Sequence, residues 1–377
     1  MVARFSLLPV LVVLATACAS RNLPDQDGAV HSGGNPDAQP RSQVPACNPS
    51  LSAPFSLHPD YCVVAVIDLP DDGEMITFSF APTILGTYRR GPGKHTYRVR
   101  RYRLDLPGSK LGNVTHTFSF SAEGMSLSIP KGLALSPDTQ TLAAACATCC
   151  SKPLPRGGGP PKFDSGGVYL FGAEAGRVPG VPEKGLGYLD NDTLLLGATE
   201  VAKSAGGSGT YALSSTSRGA QLLIEGLTGV AVSRVAVFVA DNEDVYAFSV
   251  AELRQALDQK KTLSITDGDL VFRWKYKDRD RSYRSLRSIA ALGQDLVYEV
   301  GEWDKVSESR LEVWRLRTEL YGGGFIGGSS ERVLSHLAPS SPLNDISEIQ
   351  TSGDLIAVRY TREGRAGQLV VLRARGK

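Results

Sequence analysis

After Leu14 the chain has no further apolar run long enough to cross a bilayer, which excludes a helical span from most of its 377 residues. Histidine is scarce: His31, His58, His95, His116 and His336 are scattered, and none stands beside an acidic partner at metal-ligand spacing. There is no Gly-x-Ser-x-Gly elbow, no phosphate loop and no His-Glu-x-x-His helix, so no familiar hydrolase, nucleotide or zinc-protease motif organises the chain. No metal or cofactor is expected. Neither sign of charge dominates, with 41 Lys plus Arg against 39 Asp plus Glu. That balance argues against nucleic acid as a partner. Methionine is nearly absent, at three residues against forty glycines, as suits a turn-rich β protein better than a helical one.

What is present begins at the N-terminus. Arg4 precedes an apolar run from Phe5 to Leu14, closed by Ala15-Thr16-Ala17-Cys18. A short apolar core behind one positive charge, ended by small residues, reads as a secretory signal. The ending resembles the lipobox of bacterial lipoproteins, with Ala15 where that family prefers Leu. The resemblance implies cleavage before Cys18, acylation of Cys18 and attachment by fatty chains alone. Ala19, in place of the Asp that retains lipoproteins at the inner membrane, implies the outer membrane, on its periplasmic face or at the cell surface. The alternative is an ordinary secretory signal with Cys18 incidental. The expected organisation is a signal over 1–17, an acylated cysteine and tether over 18–46, and a folded domain over 47–377. The tether is polar and rich in Gly, Pro, Ser and Asn, too poor in apolar groups to offset its ordering entropy.

From Phe55 onward a unit repeats: a short apolar strand, a polar turn, a second apolar strand, a variable loop and a third strand carrying aromatics. The second strands are expected at Met75–Phe80, Thr141–Ala145, Thr193–Leu196, Val235–Val239, Leu296–Val300 and Leu355–Val358. Turns rich in Asp, Asn, Gly or Pro precede most of them. Third strands follow at His95–Val99, Gly167–Phe171, Gly209–Leu213, Val245–Phe248, Leu311–Trp314 and Gln368–Leu372. The spacing is uneven and longer than the roughly 40–50 residues of common propeller repeats, as loop insertions would make it. An antiparallel unit that cannot bury both faces alone closes readily into a ring. The expected fold is therefore all-β, a propeller of six or seven blades, with two stacked β-sandwiches as the alternative. The phrase Leu133-Ala134-Leu135-Ser136-Pro137-Asp138 followed by Gly167-Val168-Tyr169-Leu170-Phe171 resembles the degenerate WD40-like and TolB-like propeller repeats of bacterial envelope proteins. One helix is expected, from the capping box Ser249-Val250-Ala251-Glu252 to about Lys260, as a blade-edge decoration.

Cys47 and Cys62 flank the first strand and could clip the tether onto it. Cys146, Cys149 and Cys150 open a Gly/Pro-rich loop and are candidates for a second disulfide rather than for zinc, which would need a fourth ligand. Asp71-Asp72, Asp190-Asn191-Asp192 and Asp241-Asn242-Glu243-Asp244 read as turns before they read as calcium loops. Tyr321 to Gly328 reads as a flexible Gly-rich loop. In Val271–Lys277, aromatic residues alternate with basic ones, as in a half-covered outer strand. Arg98, Arg100, Arg101 and Arg103 crowd one hairpin and are the candidate contact for an anionic partner such as lipopolysaccharide or an acidic glycan; an envelope protein is the other expected partner. The functional expectation is a binding or scaffold module of the cell envelope. Its rival is a propeller enzyme acting on glycans or sugar lactones at the central funnel, which would set polar side chains at the inner-strand ends.

Overall fold

A computed structural model describes residues 45–71, 75–90, 96–121, 132–146, 167–172, 176–179, 181–200, 209–214, 220–226, 229–240, 244–273, 282–304, 308–339, 345–361 and 367–375. The segments expected as a signal (1–17) and, except for residues 45 and 46, as a tether (18–46) lie outside them. The described strands form six antiparallel sheets. Two strands come first in the chain, β1 (Ser56–Leu57) and β2 (Tyr61–Asp68). Blade 1 follows as β3 (Met75–Ala81), β4 (Ile84–Arg90), β5 (Thr96–Asp105) and β6 (Lys110–Ser121). Blade 2 is β7 (Gly132–Leu135), β8 (Thr141–Cys146), β9 (Gly167–Gly172) and β10 (Gly176–Pro179). Blade 3 is β11 (Val181–Tyr188), β12 (Thr193–Glu200), β13 (Gly209–Ser214) and β14 (Ala220–Glu225). Blade 4 is β15 (Gly229–Val232), β16 (Ala236–Ala240), β17 (Asp244–Ser249) and β18 (Asp269–Arg273), with α1 (Val250–Asp258) between its last two strands. Blade 5 is β19 (Ser282–Leu292), β20 (Asp295–Asp304), β21 (Glu308–Tyr321) and β22 (Gly324–Pro339), and β1 adds a fifth strand to its edge. Blade 6 is β23 (Asp345–Ser352), β24 (Leu355–Thr361) and β25 (Gln368–Ala374), completed by β2.

The sheets close into a ring. Each first strand touches the first strands of both neighbouring blades, in the cyclic order β3, β7, β11, β15, β19, β23 and back to β3. Six apolar clusters fill the six seams between blades, one per seam. This cyclic packing rules out the stacked sandwiches. It also explains why strands such as β16 (Ala-Val-Phe-Val-Ala) and β24 are apolar at nearly every position: both faces of a blade are covered, so the alternation of a half-exposed sheet is lost.

Ring closure joins the two ends of the domain. β2 pairs along the C-terminal strand β25 from Tyr61↔Ala374 to Asp68↔Gln368. A disulfide between Cys47 and Cys62, with Cα atoms 5.7 Å apart, fastens the entering chain to this strand. The segment from 61 to 68 is thus the fourth strand of the last blade and not the opening of the first unit. Met75–Phe80, expected as a second strand, is instead the innermost strand of blade 1; Ile84–Arg90 is its second. The other five second strands and all six third strands stand where the sequence places them.

The turns are held by their own side chains. Asp190 Oδ1 accepts from the N–H groups of Asp192 and Thr193 at 3.1 and 2.7 Å. Ser136 Oγ donates to Asp138 and accepts from the Thr141 N–H at 2.9 Å. These are Asx and Ser turns, the physical content of the Asp-rich phrases before second strands. In α1, Ser249 accepts from the Glu252 N–H and Glu252 reaches back to the Ser249 N–H, as the capping box requires. Val250, Leu253 and Ala256 of α1 are buried in the seam between blades 3 and 4.

Because each blade is a four-stranded meander, one face of the ring carries the first-to-second and third-to-fourth turns, and the other carries the crossovers between blades. We call these the turn face and the crossover face. β2 is a fourth strand, so the chain enters the ring at the turn face.

Candidate functional site

At the crossover ends of the inner strands one polar cluster bridges blades 6 and 1. Glu348 of β23 accepts from the Thr77 hydroxyl, from the Phe78 N–H at 3.2 Å and from Gln350 Nε2 at 3.3 Å. The Phe78 N–H belongs to the free inner edge of β3, so this carboxylate satisfies a backbone group that no strand pairs. Arg359 of β24 faces the carboxylate electrostatically and donates to the Met75 carbonyl. Burial raises the Glu348 pKa above the usual carboxylate value, and Arg359 with the hydrogen-bond donors only partly offsets it. Beside it the buried Arg89 of β4 donates to the Pro70 carbonyl at 2.6 Å, tying down the crossover from β2 into blade 1. Burial lowers the Arg89 pKa.

A second polar cluster lies on the turn face of blades 5 and 6. Arg315 meets Asp295 with Nε 2.7 Å from Oδ2, while Arg317 donates to Glu331 at 3.0 Å. Tyr61 of β2 donates its hydroxyl to Glu331 at 2.5 Å. Burial, reinforced by Glu331, raises the Tyr61 pKa to about 12. For Glu331, burial pushes upward, but Tyr61, Arg317 and Arg315 together hold the carboxyl below its ordinary value.

The four arginines of β5 do not share a face. Strand alternation sends Arg98 and Arg100 with Tyr102 toward the seam with blade 6, and Arg101 and Arg103 with Val99 toward the seam with blade 2. Arg103 is exposed and the other three are partly buried, Arg100 donating to the Tyr102 hydroxyl at 3.3 Å. In β18, Phe272 packs on Tyr298 with centroids 4.6 Å apart, while Arg273 on the opposite face makes a bidentate pair with Asp244 at 3.0 Å. That pair accounts for the last acid of the 241–244 run. The rest of that run and residues 274–277 lie outside the described residues, as do Cys149 and Cys150. Cys146 ends β8. Among the described residues no group of three or more His, Cys, Asp or Glu is placed to hold a metal. His336 stacks edge-on against Tyr360, and His58 lies 3.8 Å from Asp60.

The Gly-rich stretch is not a loop. β21 and β22 run 14 and 16 residues and meet in a two-residue turn at Gly322 and Gly323, whose φ angles of 63° and 92° suit glycine. The pairing of β20 with β21 ends at Leu296↔Leu316, so the hairpin runs on beyond its own blade on the turn face. The sequence signal for this was there: aromatic and aliphatic residues flank a glycine pair.

No family model matches the chain, and no curated protein does. Among solved structures it is similar to the hydrazine synthase of Kuenenia stuttgartiensis, at 12% identity and TM-score 0.42 over 78% of each chain. The periplasmic gluconolactonase of Pseudomonas aeruginosa gives 13% and 0.43 over 82% of this chain and 86% of that one. The WD40 domain of Toxoplasma gondii coronin gives 10% and 0.34 over 86% and 89%. At these scores none of the three bears on activity.

Proposed function

We propose that this six-bladed propeller is a lipid-anchored binding or scaffold module of the bacterial outer membrane, attached through Cys18. The observation that carries the binding reading is the commitment of Glu348. Its carboxylate is engaged by Thr77, the Phe78 N–H, Gln350 and Arg359, so this acid serves as a clamp between the first and last blades. The anchoring rests on Ala15-Thr16-Ala17-Cys18 and the polar segment behind it. The partner is an anionic envelope glycan, lipopolysaccharide included, met by the arginines of β5; because they divide between two seams, the exposed Arg103 and its face-mate Arg101 form the outer contact.

Two measurements test this. Cys18→Ser should abolish incorporation of labelled fatty acid, and retained labelling overturns the anchor. Arg101→Gln with Arg103→Gln should weaken association with lipopolysaccharide micelles in low salt, with the melting temperature nearly unchanged. Undiminished association overturns the glycan contact, and turnover of sugar lactones or glycans by the purified protein overturns the non-catalytic reading.

A further inference from the structure

The hairpin of blade 5 is held rigidly and ends in exposed apolar side chains. At its neck Thr318 donates its N–H to Asp295 Oδ1 at 3.0 Å, Gln294 Nε2 donates to the Thr318 carbonyl at 2.8 Å, and the Thr318 hydroxyl donates back to the Gln294 carbonyl. On its far side the Phe325 N–H donates to Asp269 of blade 4 at 2.7 Å, and Gly327 lies so close to the Val271 carbonyl that a Cβ there would sit 2.1 Å from the oxygen. Beyond this support Leu320, Tyr321 and Ile326 stand 59%, 76% and 53% exposed. Leu270 on the neighbouring β18 and Val235 in the turn between β15 and β16 are exposed as well, on the same face of blades 4 and 5. Apolar groups gathered and held out into solvent in this way mark an interaction surface.

The entry point of the chain names its occupant. Cys47 is fastened to Cys62 at the turn-face end of β2, and Tyr61 beside it reaches Glu331 on the hairpin's own strand. The described chain therefore begins, at Pro45, on the face that carries the apolar tip. A tether of the kind expected over 18–46 from the sequence would span roughly 30 Å, so an acylated Cys18 keeps that face within reach of the bilayer. We infer that the blade 5 hairpin is a second membrane contact: Leu320, Tyr321 and Ile326 enter the interfacial layer of the bilayer that holds the lipid anchor. This rests on the anchoring reading above. A single aromatic with an apolar body and a polar tip, flanked by aliphatic groups, suits that layer. Seating the hairpin fixes the propeller with its turn face toward the membrane and its crossover face away from it.

The test uses the full-length acylated protein carrying Tyr321→Trp, reconstituted into vesicles of phosphatidylethanolamine and phosphatidylglycerol, with the parent protein as the baseline for its native tryptophans. The introduced tryptophan should emit at shorter wavelength than in detergent-free buffer and be quenched by lipids brominated near the top of the acyl chain. Adding Leu320→Ser and Ile326→Ser should reduce that quenching on the order of tenfold. If the protein floats with the vesicles while the introduced tryptophan stays accessible to aqueous acrylamide, the hairpin inference is overturned and the anchor stands. If the protein does not float, the anchor fails; a blue shift of the introduced tryptophan on adding vesicles would then still uphold the hairpin contact, and its absence would overturn it. A blue shift that needs no vesicles and grows with protein concentration assigns the tip to a second copy of this chain and overturns the inference.

Discussion

Tyr61 and Glu331 are 270 positions apart in sequence and share a 2.5 Å hydrogen bond across the seam between blades 6 and 5. Tyr61 enters with β2, near the start of the domain, whereas Glu331 lies on the longest strand of blade 5, already engaged by Arg317 and Arg315. Tyr61→Phe removes a donor to a charged acceptor and should lower unfolding free energy by about 2 kcal/mol. Denaturant titration reads it. The pH dependence runs in two directions. The raised Tyr61 pKa adds stability that is whole below the ordinary tyrosine value and is lost as pH rises through about 12. The depressed Glu331 pKa adds stability that is whole above the ordinary carboxylate value and is lost as pH falls through its folded value. Both dependences should shrink in the variant.

Glu348 has the opposite sign to Glu331. Its raised pKa means the folded ring tolerates the protonated acid better than the ion, so its contribution is whole below the ordinary carboxylate value and falls away as pH rises through the folded one. Glu348→Gln should flatten the stability profile in that window. A variant with the parent's slope there would show that Arg359 and the donors fully compensate the burial.

The closing strand should be indispensable. A chain ending at residue 367 lacks β25 and leaves β2 and β24 with unpaired edges, and it should lose cooperative melting across all six blades. Cys62→Ser should be milder, costing about 3 kcal/mol by the loop-closure estimate for the 15-residue separation. Calorimetry distinguishes the two.

Gly327→Ala forces a Cβ against the Val271 carbonyl and should lift the hairpin from blade 4 at a cost of roughly 1–3 kcal/mol. Hydrogen exchange should accelerate between residues 318 and 327. Gly226→Ala meets no neighbour, and its cost should be that of its positive φ alone, about 1 kcal/mol.

Much of the ring was legible because local chemistry writes it. The capping box at Ser249 and the Asx turn at Asp190 use contacts within a few residues, and both stand as read. Blade 1 departs from the expected order by one strand because Met75–Phe80 and Ile84–Arg90 flank the same tight turn, and only pairing to β5 tells the second strand from the first. The closure was hidden because Ile67 finds Leu369 across the whole length of the domain. Glu348 carries no local signal for the same reason: a lone acid in a strand looks solvated until Arg359 and the free edge of β3 surround it. The β5 arginines are dense in sequence, yet the two-residue period of a strand divides them.

The join between β2 and β25 also sets a timetable. β2 is made 300 positions before the strand it needs, as Asp68 and Gln368 show, so a growing chain carries an open, valine-rich edge until β25 has emerged. Every shortened product keeps that edge exposed. The arrival of β25 is thereby coupled to the disappearance of a sticky surface, so the same pairing that closes the ring also removes its most aggregation-prone edge.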